Sequence, residues 1–167
     1  VGLSVSLLNG AARCIAIQDV DTLPELGAPV DYGDCAVPTQ LSSEIECYGW
    51  GPPCAANAGG VVAMTTEHWH QVNGFGNTYE GWGGEDDDLN RRLLRNNLLR
   101  GSCGDFCDRD DLGFNYQTSG LIRRPRKGRG RFICLDEASH TPRTHGDKDQ
   151  MREKLTEMDM GSPRWAS

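Results

Sequence analysis

The sequence predicts an α/β fold, and three observations carry that expectation. Short apolar runs with strand character stand at 13–18, 59–64 and 131–135, helical patterns cover 67–72 and the stretch from Glu85, and the two kinds alternate along the chain. At 167 residues the chain is one domain's worth, long enough to bury a core without depending on covalent staples. We expect residues 1–167 to form a single, partial domain.

Each element has its own local reason. RCIAIQ at 13–18 is apolar and bounded by polar turn residues, which reads as a buried strand. It ends at Asp19-Val20-Asp21. From there to about residue 58, Gly, Pro and the cysteines at 35, 47 and 54 predict an irregular, disulfide-pinned stretch. GGVVAM at 59–64 is a strand entered through two glycines, and Thr65 or Thr66 caps a short helix over EHWHQV that Gly74 ends. A longer helix starts at Glu85. Leu89, Leu93, Leu94 and Leu98 form its apolar stripe, Arg91, Arg92, Arg95 and Arg100 lie toward its end, and Gly101 stops it. The basic run RRPRKGRGR at 123–131 reads as a solvated loop rather than a binding surface. RFICL at 131–135 is the third strand, and a polar, partly helical tail starts near Asp147.

Charge and cysteine content exclude several classes. A net charge of −7 argues against a general nucleic-acid binder, whose affinity comes from Lys and Arg neutralising phosphates. No apolar run approaches the ~20 residues that cross a bilayer, and the first residues lack the basic start and cleavage site of a signal peptide. The sequence opens on Val rather than Met, so we expect it to be trimmed or partial. Seven cysteines suggest an oxidising compartment, and the odd number leaves one unpaired or paired elsewhere. Cys103 and Cys107 could be half of a zinc site, but no second close-spaced Cys/His pair accompanies them.

The densest chemistry lies at YEGWGGEDDDLN, residues 79–90. Carboxylates in a first helical turn complement the dipole by ~0.3–1 kcal/mol each. That accounts for one or two acids, but Glu85, Asp86, Asp87 and Asp88 adjoin and repel. Nor does it account for Trp82 among Gly81, Gly83 and Gly84. Glycines let backbone approach a ligand, an indole offers a flat apolar face with one N–H, and a neighbouring carboxylate can take a proton from a sugar hydroxyl. Together they point to sugar chemistry. Asp19 and Asp21 follow a strand, so alternation is expected to turn both carboxylates to one side at its carboxyl end, where hard oxygens suit Mg²⁺ or Mn²⁺ on a diphosphate. The loop lacks the further Asp/Asn and Gly of an EF-hand.

IQDVD at 17–21, GGVVAMTTEHWHQVNGFGNTYEGWGGEDDDLNRRL at 59–93 and ASHTPRTHGDKD at 138–149 together resemble the β1,4-galactosyltransferase family, inverting glycosyltransferases of the GT-A fold. The likeness is good over residues 13–100 and loose beyond, and it implies the C-terminal part of the catalytic domain, without the upstream strand and motifs that hold uridine. It implies that Asp21 binds Mn²⁺, with Mg²⁺ as the alternative, and that Asp19 lies beside it at the nucleotide sugar. Gly59, Gly60 and Gly84 would line the donor and acceptor site, Trp82 would pack on the acceptor, Glu85 would engage the sugars and Asp86 would be the base.

The family's Met-x-x-His aligns best with Glu137 to His140, making these the further metal ligands, with His145 the competing histidine. Glu for Met would shift preference toward the harder Mg²⁺. The resemblance also implies a Cys14–Cys35 disulfide, and a donor-selecting position at Asn57, where a small polar residue would widen the choice of sugar.

The implied partners are a UDP-sugar donor and a glycan or glycoconjugate acceptor, with no nucleic acid, and a membrane only through an anchor absent from this sequence. The implied setting is the Golgi lumen or secretory pathway. Two rivals remain open from sequence: a chondroitin-type N-acetylgalactosaminyltransferase, and a non-catalytic, disulfide-rich module that binds carbohydrate or calcium.

Overall fold

The computed structural model describes residues 13–52, 57–76, 79, 84–100 and 121–135. In chain order the elements are β1 (Cys14–Gln18), β2 (Thr22–Pro24), β3 (Thr39–Gln40), β4 (Glu44–Ile45), a 3-10 turn (Glu46–Tyr48), β5 (Val61–Thr65), α1 (Thr66–Gln71), α2 (Glu85–Arg95) and β6 (Arg131–Cys134). The run VVAM is apolar at every position, and a strand of that kind must be covered on both faces. β5 accordingly lies between β1 and β3, antiparallel to both, with Val61 to Met64 all buried.

Alternation along β5 divides the core. Val62 and Met64 face Trp69 of α1 and Leu89 and Leu93 of α2, with Val72, Leu99 and Ile122 completing that cluster. Val61 and Ala63 face the other way, onto Leu41, Cys35 and Phe132. Phe132 belongs to β6, the middle strand of a second sheet, antiparallel to β2 and parallel to β4. Helices, first sheet and second sheet therefore form successive layers, and β5 pairs antiparallel with both of its neighbours in the first sheet.

Several expectations need correction. β1 is half-buried rather than buried, because it is an outer strand of its described sheet, and Ile17 is 36% exposed. The stretch after Asp21 is not wholly irregular: β2, β3 and β4 lie in it, strands too short for periodicity to reveal.

The second helix stops at Arg95 rather than running on to Gly101. Asn97 takes φ 54°, its N–H donates to the Leu94 carbonyl (3.0 Å) and that of Leu98 to the Leu93 carbonyl (2.9 Å). This is a Schellman end with Asn in the left-handed position. Leu94 is left 37% exposed, and Leu98 packs on the core from beyond the helix. The same device ends α1. Asn73 has φ 57°, and the Gly74 N–H reaches the Trp69 carbonyl at 3.0 Å, so Asn73 is the left-handed residue rather than Gly74 alone. At the other end, Thr65 is the N-cap, its hydroxyl accepting from the His68 N–H.

The basic run is only partly solvated. Arg123 forks onto Asp34 at 2.6 and 2.8 Å, Arg124 reaches inward, and Arg131 pairs with Glu25 while stacking 3.7 Å from the Trp50 ring. Arg126, Lys127 and Arg129 remain exposed. The expected Cys14–Cys35 bond is present, and a second joins Cys47 to Cys134, tying the 3-10 turn to β6. No helix among the described residues is long and apolar enough to cross a membrane. Cys54, Cys103, Cys107 and the tail from Asp147 lie outside the described residues.

Candidate active site

The Asp-Val-Asp segment is not a continuation of β1, so strand alternation does not set its geometry. It is the turn by which the chain leaves the first sheet for the second. The Asp19 N–H donates to the Gly60 carbonyl at 2.9 Å, one rung past the Gln18–Val61 pair, whereas the Asp21 carbonyl accepts from Leu135 at 2.7 Å, beside the Thr22–Cys134 pair. Val20 at the apex is 94% exposed.

That rung places Asp19 beside the glycines that enter β5. A β-carbon on Gly59 would overlap the carboxylate of Asp86, so only glycine allows this approach. Gly60 has φ 75°, and a β-carbon there would overlap the Ser42 hydroxyl, which accepts the Val61 N–H. The loop entering β5 and the first turn of α2 thus meet in direct contact. Gly84, buried, is the helix N-cap at φ 96°, without side-chain capping.

The four adjacent acids are separated by the helix into different environments. Asp86 is half-buried against Gly59. Burial pushes its carboxyl up to about 7, the negative charges of Glu85 and Asp19 push the same way, and a hydrogen bond from Asn57 opposes them. Asp87 is also raised, by burial first, with Arg91 pulling it down. Asp88 is fully buried and pairs with Arg92 at 2.8 Å, while Arg92 also donates to the Val72 carbonyl. Asp88 therefore anchors the helix.

Asn57, the expected donor-selecting position, is held by hydrogen bonds at both ends of its side-chain amide. Its Oδ1 accepts from Gln40 (2.6 Å) and from the Gly59 N–H (3.0 Å), and its Nδ2 donates to Asp86 Oδ2 at 3.3 Å. Gln40 and Arg124 belong to this network and were not singled out from sequence. Arg124 was visible only within the basic run, while an isolated Gln carries no signal.

Among the described residues, no three His, Cys, Asp or Glu side chains cluster closely enough to hold a metal ion. The donor chemistry nevertheless fits a hard divalent cation: Asp19 and Asp21 offer carboxylate oxygens, and the repulsion of Asp19 and Glu85 on Asp86 marks a negative potential that a cation would relieve. Trp82, Glu137, His140 and His145 lie outside the described residues.

A family model described as the N-terminal domain of galactosyltransferase matches residues 39–133, more than half of the chain. That description says N-terminal where the motifs implied the C-terminal portion, and both make the match a part of a larger whole. β-1,4-galactosyltransferase 6 of Rattus norvegicus is 37% identical over 93 residues, and β-1,4-galactosyltransferase 3 of Homo sapiens 36% over 93, each match covering 56% of this chain and 24% of the relative. The chain thus aligns with about a quarter of these curated relatives.

Among solved structures, the catalytic domain of Drosophila β1,4-galactosyltransferase 7 with xylobiose matches at TM-score 0.50 and 23% identity, over 84% of this chain and 52% of that one. A variant of the same enzyme with manganese, UDP-Gal and xylobiose matches at 0.53 and 22%, with the same coverage. At such identities the likeness shows the fold, which is that of a GT-A galactosyltransferase catalytic domain. With the family model spanning residues 39–133, the chain belongs to the galactosyltransferase family.

Proposed function

We propose that this chain is part of an inverting transferase that moves galactose, or a related hexose, from a UDP-sugar to a hydroxyl of an acceptor sugar. The observation that carries this reading is the seating of Asp86. A half-buried carboxyl, raised to about 7, lies against a backbone bare of side chain, in the loop that Asp19 also meets. A base of that affinity is matched to proton transfer near neutral pH.

In the proposed reaction the acceptor oxygen bonds to the anomeric carbon, the bond from that carbon to the diphosphate breaks with inversion, UDP departs, and the hydroxyl proton passes to Asp86. Glu85 engages the sugars beside it. Asp19 lies at the nucleotide sugar, Gly59, Gly60 and Gly84 line the pocket, and Trp82 packs on the acceptor. Asp21 would hold the Mn²⁺, or Mg²⁺, with His140 and Glu137, and the bound cation would offset the charge of the departing diphosphate. Residues 1–167 are read as one domain within a lumenal protein of the secretory pathway, in keeping with the disulfides.

The test is incubation with Mn²⁺ and a panel of UDP-sugars and acceptor glycans. Acceptor-stimulated UDP release that is lost in Asp86→Asn supports the reading. UDP-GalNAc as the preferred donor would favour the N-acetylgalactosaminyltransferase rival, and sugar binding without release would favour a non-catalytic module.

A further inference from the structure

Asp86 is reached by a line of hydrogen bonds whose direction is dictated from its far end. The Arg124 guanidinium can only donate, and its Nε donates to Gln40 Oε1 at 2.7 Å. That fixes the amide of Gln40, fully buried on β3, with its Nε2 turned toward Asn57 Oδ1 (2.6 Å) and the Gly59 carbonyl (3.0 Å). Asn57 Oδ1 is therefore an acceptor, which also takes the Gly59 N–H, and its Nδ2 is left to donate to Asp86 Oδ2. Arg124 closes the line by reaching the Asn57 carbonyl at 3.3 Å. Neither amide can flip without setting donor against donor or acceptor against acceptor.

We propose that Asn57 is a positioning residue for Asp86, locked in one amide orientation by Arg124 and Gln40, so that its Nδ2 holds the Asp86 carboxylate against Gly59 in the orientation that meets the acceptor hydroxyl. This rests on Asp86 being the base.

The discriminating variant is Asn57→Asp, which keeps the oxygen facing Gly59 and Gln40 but replaces the donor to Asp86 with an acceptor. Its kcat falls by about tenfold or more while the KM values of donor and acceptor stay within about twofold, because positioning acts on the reacting group rather than on binding. A wild-type kcat, or a change confined to donor KM, overturns the proposal.

A second measurement needs neither turnover nor a folded variant at position 57. In the wild-type protein the side-chain amide protons of Asn57, followed by NMR, exchange slowly, and Asp86→Ala removes that protection. If they exchange like a free side chain in the wild type, the proposal fails even if transfer is seen. If Asp86→Asn leaves transfer intact, the base assignment fails instead, and the amide measurement still decides whether the relay exists.

Discussion

The Asp86 carboxylate lies where a β-carbon of Gly59 would be, so the loop entering β5 and the first turn of α2 are mutually shaped. Gly59→Ala forces one of them to move. A displacement of about 1 Å at a reacting group costs about 10²-fold in rate. We expect Gly59→Ala to lower acceptor-stimulated UDP release by about that factor while the protein still folds. Retained activity would mean that Asp86 has no fixed role in transfer.

Asp86 also predicts a pH dependence of stability whose sign is unusual for an acid. Its folded pKa of about 7 lies above the ordinary carboxylate value, so between about pH 4 and 7 the folded state holds a proton that the unfolded state has lost. Stability therefore falls as pH rises through that window, by about 4 kcal/mol at most. Asp86→Asn flattens the profile and stabilises the protein at pH 8, read by denaturant unfolding at several pH values. Transfer, needing the ionised form, rises with pH through the same midpoint. On the proposed reading, Mn²⁺ held at Asp21 would move that midpoint to lower pH by offsetting nearby negative charge, which carbon NMR of the Asp86 carboxyl can follow.

Asp88 contributes through its ion pair rather than through a free carboxylate. Its pair with Arg92 is buried, and removing one member strands a charge, at a cost of about 3–5 kcal/mol. Arg92→Met should lose that much in urea unfolding, and the double change Asp88→Leu with Arg92→Met clearly less. Equal losses would show that the pair's burial is not what matters.

The disulfides should differ in worth through the loops they close. Cys47–Cys134 spans 87 residues and Cys14–Cys35 spans 21. On chain entropy alone these correspond to about 4.6 and about 3.3 kcal/mol. Cys134→Ser paired with Cys47→Ser should therefore lower the unfolding midpoint more than the corresponding pair at 14 and 35.

Much of this was legible beforehand, where the signal was local. The apolar run at 59–64 identified a strand, Thr65 or Thr66 a helix cap, and the acids from Glu85 a helix start; the cap is Thr65. The ends of helices were less legible. Gly74 does help to end α1, but the left-handed turn begins at Asn73, and that of α2 falls to Asn97 rather than Gly101; Asn tolerates that conformation through its short polar side chain. Strands of two or three residues were invisible, since they complete no period and exist only because neighbours supply their hydrogen bonds.

By itself, then, the sequence determined the class of fold, the central strand, the two helices and the chemical character of the acidic segment, because propensity and periodicity act over a few neighbouring residues. Tertiary structure alone decided that Asp19 ends up beside Gly60, that Asp86 rests on Gly59 while Asp88 is sealed against Arg92, and that Arg124 reaches Asn57 through Gln40. Apart from the Asp88–Arg92 pair, which is one helical turn apart, those relations join groups far separated along the chain, Arg124 and Gln40 by 84 positions. They depend on which sheet each loop enters and on which way a helix is turned, and no local pattern encodes either.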